Sequence, residues 1–222
     1  VTFTAYYPFG GTEKTALGDV TTTLTAAMQD ATNKSVDGNF TPQSQIDFLY
    51  GTGTGKRTTN DGKVAFEFEH KMSKLVLNFI AGNEVSLNDL SQYELKGLEM
   101  AGTFNPKDGT AAASETETSK TLTIKRDGGS FSGNVSSLIL FPQTATSATL
   151  TVTVNSNTYT ATLPLPTKTA TGATGNGLES GKSYTYNVTV GSKEMIISKA
   201  DISDWTDGIT GDNGNVDAVP GA

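Results

Sequence analysis

The 222-residue chain contains no cysteine and only one histidine, His70. The absence of cysteine excludes disulfides, thiolate zinc sites, thiol nucleophiles and iron–sulfur ligation. With a single imidazole, the chain also has too few good ligands for a transition-metal site. We therefore predict that the protein carries no cofactor, and that its stability comes from packing rather than from cross-links.

Cations are scarce: 16 Lys and Arg face 23 Asp and Glu, which gives a net charge of −7, and the only arginines are Arg57 and Arg126. Because affinity for a phosphate backbone rests on clustered cations, we predict no nucleic-acid partner. No apolar run approaches the roughly 18–20 residues that span a bilayer, so we predict no membrane span. Residues 1–4 already alternate like a strand, and we expect any export signal to lie upstream of this sequence.

Threonine and glycine are abundant instead. The chain has 36 threonines and 24 glycines, which together make up more than a quarter of its residues. Threonine is β-branched and suits a pleated strand, whereas glycine serves turns and weakens helices. Charged residues amount to only 18%. The composition therefore predicts a β protein with a neutral, hydroxyl-rich surface, which is typical of extracellular proteins.

Apolar and polar residues alternate with a period of two along most of the chain. The pattern is clearest at 148–154, where the alanine, leucine and valines share one face and the threonines take the other. A polar turn at 155–157 leads into a second alternating run, which predicts a hairpin. Similar runs at 64–72, 75–80, 122–124, 138–141, 184–190 and 195–197 bring the count to at least seven strands. Short strands with regularly spaced turn signals favour an all-β, antiparallel sandwich over a parallel βαβ sheet.

A strongly apolar strand at 64–80 gives way to a polar, partly helical link at 81–88. This change of composition predicts a domain boundary, with a first domain at 1–82 and a second at 83–222. Helical content is predicted to be minor, with short turns within 24–31 and after Ser86. From Gly208 onward the chain carries almost nothing to bury, and we expect a flexible tail.

Three titratable residues of one strand could carry acid–base chemistry. A catalytic His70 would need a nucleophile or carboxylate beside it, and a core-edge histidine with a local hydrogen bond is the simpler interpretation. Glu67 and Glu69 point to the same side and could mimic the carboxylate pair of a glycoside hydrolase. They share a solvent-facing row with Lys71, however, and no apolar pocket is indicated that would raise one pKa. We therefore nominate no catalytic residue and predict that the protein is not an enzyme.

Aspartates cluster near the C-terminal end and could offer oxygen ligands to calcium: Asp201, Asp204, Asp207, Asp212 and Asp217. Their spacing does not match an EF-hand, and aspartates are equally expected in a solvated turn region. We therefore assign no metal ligand.

Four aromatic residues could contribute to a sugar-stacking platform: Tyr6, Tyr7, Phe9 and Trp205. Adjacent tyrosines on a strand point to opposite faces, so only one of Tyr6 and Tyr7 could join such a platform. Core packing or a domain interface is the favoured interpretation of these aromatics. No ligand-binding residue is assigned.

The order of the segments resembles the fimbrillin family of Bacteroidales surface proteins. The resemblance covers most of the chain and rests on these landmarks in sequence: Phe3-Thr4-Ala5-Tyr6-Tyr7-Pro8, Gln45-Ile46-Asp47-Phe48-Leu49-Tyr50-Gly51, residues 64–75, 95–104, Leu140-Phe141-Pro142-Gln143, Gly181-Lys182-Ser183-Tyr184-Thr185-Tyr186 and Ile202-Ser203-Asp204-Trp205. Each motif alone is weak, and their order and spacing carry the resemblance.

The resemblance implies two transthyretin-like β-sandwich domains in tandem and a fimbrial or adhesive role at the outer membrane surface. Its members are exported as lipoproteins, so a lipid anchor is expected in the precursor only. They assemble by strand exchange, in which a groove is filled by a strand of the next subunit. The expected partners are therefore other fimbrial subunits, together with a host or bacterial surface protein or glycan.

The chain departs from that family at both ends. The strands that family members carry before the segment resembling Tyr6-Tyr7-Pro8 are absent, which predicts a first domain that is incomplete at its N-terminus. Glycines interrupt the residues after Trp205, so the tail is a poor donor strand, and a tip or accessory role is favoured over a stalk role. The alternative functions are a carbohydrate-binding module of an outer-surface glycan system and a hydrolase that uses Glu67 and Glu69.

Overall fold

A computed structural model describes residues 1–8, 18–33, 40–55, 64–114, 121–126, 131–206 and 215–217. No α-helix occurs in these ranges, and the predicted all-β class is confirmed. Three short 3₁₀ turns cover Ala27–Gln29, Gln43–Gln45 and Leu87–Asp89. The strands are β1 (Thr2–Tyr7), β2 (Val20–Thr23), β3 (Leu49–Thr54), β4 (Ala65–His70), β5 (Ser73–Ala81), β6 (Leu90–Lys96), β7 (Ala101–Asn105), β8 (Thr110–Ala113), β9 (Leu122–Lys125), β10 (Phe131–Ser132), β11 (Val135–Leu140), β12 (Ser147–Val154), β13 (Asn157–Pro164), β14 (Lys182–Val190), β15 (Met195–Ile197), β16 (Asp201–Asp204) and β17 (Asn215–Asp217).

The strands form four sheets, which we call I to IV. Sheet I has the order β1-β3-β4-β17, and sheet II has the order β10-β11-β5-β14-β15, with β16 also paired to β14. Sheet III has the order β13-β12-β6-β9, and sheet IV has the order β2-β7-β8. Sheets II and III supply most of the buried residues, and sheet I contains the N-terminal strand β1.

Sheets II and III pack face to face around buried aromatic side chains. Tyr93 of sheet III lies 5.5 Å from Phe79 of sheet II, measured between ring centroids, and shares a 2.8 Å hydrogen bond with Ser136 of sheet II. Tyr186 donates a 2.7 Å hydrogen bond to the Pro164 carbonyl. Each buried hydroxyl therefore has a partner, as burial of a polar group requires. Burying these rings together with leucines such as Leu150 is the main source of stability, since each fully buried large side chain contributes about 1.5–3 kcal/mol.

Because several tyrosines are buried, the free energy of unfolding varies with pH in the alkaline range. Burial raises the pKa of Tyr93, and it raises that of Tyr184 from 10.0 to about 12, with the nearby Glu179 charge acting in the same direction. A tyrosine with a higher pKa in the folded than in the unfolded chain stabilises the fold fully below its unfolded pKa. This contribution is lost as the pH rises towards its folded pKa. We expect the free energy of unfolding to fall as the pH rises from about 10 to about 12. Urea unfolding across this range, with tyrosinate absorbance, measures it. Ionisation of all seven tyrosines near 10.0 in the folded chain would contradict this expectation.

The predicted hairpin at 148–165 is confirmed. In β12 and β13, Leu150 pairs with Ala161 and Val152 with Tyr159. The turn residues Asn155 and Ser156 both have positive φ, 48° and 68°. A turn with positive φ at both residues matches the twist of the flanking strands and is favoured in two-residue hairpin loops.

One strand pair differs from the predicted antiparallel arrangement. β14 runs parallel to β5, with Tyr184 opposite Leu75 and Val190 opposite Ala81. Parallel neighbours require a long crossover, and here the whole of β6 to β13 lies between them. A periodicity of two does not distinguish parallel from antiparallel pairing, so alternation alone could not reveal this pair.

The apolar run at 64–80 is two strands in two different sheets. β4 pairs with β3 in sheet I, whereas β5 pairs with β11 and β14 in sheet II. The chain changes sheet at Lys71 and Met72. There the Lys71 amide donates to the Phe48 carbonyl, and the Gly181 amide donates to the Met72 carbonyl. A division after residue 82 places β5 apart from both of its neighbours, β11 and β14, and β2 of the N-terminal part pairs with β7 of the C-terminal part.

Candidate assembly site on sheet I

The two edge strands of sheet I, β1 and β17, come from opposite ends of the sequence. β1 pairs with β3 through its full length, from Thr2 opposite Thr54 to Tyr7 opposite Leu49. At the other edge, β17 runs antiparallel to β4, with Val216 opposite Phe66. In the part of the chain that the structure describes, β1 has no second neighbour strand.

One face of sheet I is apolar and incompletely covered. Cross-strand partners share a face, and the register places Phe3 opposite Gly53 and Phe68 opposite Gly51. Phe66 and Phe68 follow the same face of β4, with ring centroids 6.2 Å apart. Phe66 is buried, but 42% of Phe3 is exposed. A partly exposed phenylalanine on an edge strand is a feature of interaction surfaces.

The end of β4 is fixed by a three-residue cluster that we call the His70 cluster: Asp47, His70 and Trp205. Nδ1 of His70 lies 2.7 Å from Oδ1 of Asp47. The imidazole ring stacks on the indole of Trp205, with centroids 3.7 Å apart and an angle of 6° between the planes. Asp47 precedes β3, His70 ends β4 and Trp205 follows β16, so the cluster joins three distant segments.

The His70 cluster also connects sheet I to sheet II. The Trp205 amide donates a 2.8 Å hydrogen bond to the Gly181 carbonyl, at the start of β14. Nζ of Lys74, on β5, lies 5.6 Å from the centroid of the Trp205 ring. A cationic group at this distance is attracted to the indole face. The cluster therefore fixes the geometry between the sheets at the point where the chain changes sheet.

A cavity of about 340 Å³ opens beside the His70 cluster. Two ion pairs line it: Lys71 with Glu69, at 2.7 Å, and Lys182 with Asp204, at 2.6 Å. Glu69 and Asp204 are largely exposed, so these pairs contribute little to stability.

The residues considered for catalysis do not form an active site. His70 is buried and hydrogen-bonded locally, as the simpler interpretation predicted. Glu67 and Glu69 do share one side of β4, but both are exposed, and Glu69 pairs with Lys71. Neither lies in an apolar pocket of the kind that raises a carboxyl pKa for general acid catalysis.

The four aromatics considered for sugar stacking lie in different environments. Trp205 is buried against His70, and Tyr6 packs 6.0 Å from Phe104 of sheet IV. Tyr7 lies near Phe40, with centroids 6.0 Å apart, and Phe9 falls outside the described residues. The described aromatics therefore do not share one exposed platform.

The aspartates considered for calcium are only partly described. Asp204 pairs with Lys182, and Asp207 and Asp212 lie outside the described residues. Within the described ranges, no cluster of three or more potential metal ligands occurs. The same ranges hold no helix of sufficient length and apolar character to cross a bilayer.

Sequence reasoning missed both the His70 cluster and the pairing of β17 with β4. Trp205 ends a recognisable landmark segment, but nothing in the spacing of Asp47, His70 and Trp205 shows that they meet. For β17, the short run Asn215–Asp217 lies among glycines, and that composition favours a loop.

Comparison with known proteins gives a consistent result. The model of the fimbrillin-like family matches residues 1–205. A Bacteroides uniformis protein named "Putative fimbrium subunit Fim1C" is 28% identical over 219 residues, which are 97% of this chain and 65% of that protein. The chain thus spans just under two thirds of the length of this curated relative.

Two solved structures, each described as a "putative cell adhesion protein", share the fold. The Bacteroides ovatus protein has a TM-score of 0.71 and 32% identity, over 92% of this chain and 68% of its own. The Bacteroides uniformis protein has a TM-score of 0.69 and 24% identity, over 92% of this chain and 73% of its own. The family match extends from β1 through Trp205 of the His70 cluster. The chain therefore belongs to the fimbrillin-like family, a family of structural proteins rather than enzymes.

Proposed function

We propose that the protein is a subunit of a cell-surface fimbria and joins its neighbours by strand exchange. The observation that carries this proposal is the family match, which runs through residues 1–205. The curated relative is named as a fimbrium subunit, which supports the same role. The location that follows is the fimbria at the outer surface of the cell, with a lipid anchor in the precursor and other fimbrial subunits as partners.

Sheet I supports strand exchange as the mode of assembly. Among the described strands its edge strand β1 has one neighbour, and Phe3 on that strand is 42% exposed. An added strand satisfies the free backbone groups of such an edge and also covers its apolar face. Because each subunit would offer one surface and receive another, repetition builds an open filament rather than a closed ring.

We further propose two transthyretin-like domains and a tip or accessory position. In this proposal sheets II and III make the complete sandwich, and sheet I belongs to the smaller first domain. The tip position is supported by β17, because a tail segment paired with β4 of its own chain is not available to a neighbour.

Fimbrial incorporation tests the proposed function. We expect an epitope-tagged chain, expressed within its natural precursor in a Bacteroides host, to appear in sheared fimbriae and at their ends by immunogold electron microscopy. A tagged, unrelated exported β-sandwich is the control. Deletion of Gly208–Ala222 should leave incorporation unchanged, since a tip subunit donates no strand.

Each part of the proposal would be contradicted by a different result. Tag that remains only in the soluble fraction would contradict the fimbrial role, and loss of incorporation on deletion of the tail would contradict the tip position. Binding on a glycan array without incorporation would instead favour the carbohydrate-binding alternative.

A further inference from the structure

The connection from β13 to β14 is long and has no helix or sheet strand of its own. It covers residues 165–181. Hydrogen bonds fix its shape: the Asn176 carboxamide accepts one from the Lys168 amide at 3.0 Å, and the Gly177 amide donates one to the Pro166 carbonyl at 2.8 Å. Connections of more than about 12–15 residues are uncommon in compact proteins and usually carry a function. The proposed function gives this connection no role.

This connection, which we call the 165–181 loop, lines one side of a cavity of about 490 Å³. The other side includes Lys199, Ala200 and Ile202, where the chain passes from β15 into β16. Gly172 lets the loop approach that side closely, because its φ is +87° and an added Cβ would lie 2.7 Å from the Ile202 carbonyl oxygen. The volume falls within the range of small-ligand sites, which is about 300–1,000 Å³.

The lining of this cavity combines apolar surface with hydroxyl groups. Leu165 is buried, and Ala200 and Ile202 are half-buried. The exposed lining residues include three threonines and one lysine: Thr167, Thr169, Thr171 and Lys199. Each hydroxyl can both donate and accept a hydrogen bond. The cavity can therefore hold a ligand that carries several hydroxyl groups as well as apolar C–H surface.

Lys199 gives the cavity a positive charge on an acidic protein. Among the described residues that line the cavity it is the only charged one, since Asp201 does not line it. Within the ranges that the structure describes, its ammonium group forms no ion pair. The whole chain has a net charge of −7, so an anion is attracted only where a local cation outweighs the overall field. The charge of this cavity therefore favours an anionic ligand.

These features together match a sugar that carries a carboxylate group. An ammonium group and a carboxylate form a charge-assisted hydrogen bond, and threonine hydroxyls bond to sugar hydroxyls. A simple fatty acid would pair with Lys199 but would leave the three threonine hydroxyls without partners, which lowers affinity. A neutral sugar would lack the ion pair, and no aromatic residue of the described chain lines the cavity to stack on its ring.

We propose that this cavity is a binding site for a carboxylated sugar. Lys199 pairs with the carboxylate, the three threonines bond to the ring hydroxyls, and the apolar residues contact the C–H groups of the ring. Hexuronic acids and sialic acids share this chemistry, because both carry a carboxylate on a hydroxylated ring. The inference goes beyond the proposed function and does not require it. A fimbrial subunit with this site attaches to acidic glycans through a surface separate from the edge of sheet I.

Titration of the purified full chain, followed by heteronuclear NMR, tests this site. Methyl glucuronide and methyl glucoside differ only in a carboxylate that replaces a hydroxymethyl group. We expect the glucuronide to shift the amide signals of 165–172 and 199–202 in the millimolar range, and the glucoside to bind about 10-fold more weakly. The methyl glycoside of N-acetylneuraminic acid is the sialic acid probe. Dodecanoate tests whether a carboxylate on an aliphatic chain is sufficient.

The variant Lys199→Met keeps the length of the side chain and removes its charge. We expect it to raise the Kd for the acidic sugar about 10-fold, through the loss of one charge-assisted hydrogen bond. Thr171→Val replaces a hydroxyl by a methyl group of similar size and should raise that Kd about 3-fold. Lys193→Met removes an exposed lysine that does not line this cavity, so it is the matched control and should leave binding unchanged.

Several results would overturn the inference. They are the absence of shifts with both acidic sugars, equal binding of methyl glucoside, tighter binding of dodecanoate, and equal losses in Lys199→Met and Lys193→Met. Shifts with only one of the two acidic sugars would support the site and identify its class of ligand. Because the titration uses purified chain, failure here leaves fimbrial incorporation untouched, and failure of incorporation leaves the sugar site untouched.

Discussion

Replacing Trp205 by alanine should lower the free energy of unfolding by about 3–5 kcal/mol, the usual cost of removing a large buried aromatic side chain. The indole is 7% exposed and contacts His70 across a 3.7 Å stack. Its loss would leave a cavity where three segments meet and would expose the hydrogen bond between His70 and Asp47 to water. Urea unfolding followed by circular dichroism measures the change, because Trp205 is the only tryptophan and fluorescence is lost with it.

Trp205→Phe is the matched control for this prediction. Phenylalanine keeps an aromatic face against His70 and loses only part of the buried area, so we expect a cost of about 1–2 kcal/mol. Equal losses for the two variants would show that stacking on His70 contributes nothing. A loss below about 1 kcal/mol for Trp205→Ala would show that the His70 cluster does not hold the two sheets together.

Replacing Gly177 by alanine should destabilise the protein by about 2–5 kcal/mol, through backbone strain and overpacking together. Gly177 has φ +78°, and an added Cβ would lie 2.1 Å from the Gln143 carbonyl oxygen. That carbonyl accepts a 2.8 Å hydrogen bond from the Leu178 amide, so an alanine side chain would push this pairing apart. Thermal or urea unfolding measures the loss.

Gly133 separates the two causes of this effect. It also has a left-handed backbone, with φ +64°, but an added Cβ would have no atom within 4 Å. Gly133→Ala therefore introduces backbone strain without a steric clash, and we expect it to lower the free energy of unfolding by about 1–2 kcal/mol. If the two alanine variants were equally destabilised, the close approach at Gly177 would not be the cause.

Much of the sandwich could be predicted from the sequence because its strands obey a simple rule. In β12, Leu150 and Val152 are fully buried while Thr149 on the opposite face is exposed, as the alternation requires. The same rule located β13, β14 and β15. Two of the three short helical turns were also predicted, and Gln43–Gln45 was not. The Ser86 hydroxyl accepts a hydrogen bond from the Asn88 amide at the start of one predicted turn.

Pairing between distant segments could not be predicted in the same way. In the run at 64–80 the buried positions change from even to odd numbers after Met72, where the chain passes from one sheet to another. Amide and carbonyl partners from other segments bind the backbone at Lys71 and Met72. The His70 cluster depends on side chains that are distant in sequence. Local pattern specifies which face of a strand is buried, but the neighbour of that strand is determined by the packing of the whole chain.

The parallel pairing of β5 with β14 has a consequence for the time course of folding. Leu75 and Tyr184, which lie opposite each other in that ladder, are separated by more than one hundred residues. The central ladder of sheet II therefore cannot close until the chain is available as far as Val190. Folding that depends on such non-local contacts is slow. A slow final step would leave a newly made chain unfolded long enough to be moved across a membrane, and it would fold only after nearly all of its strands had arrived.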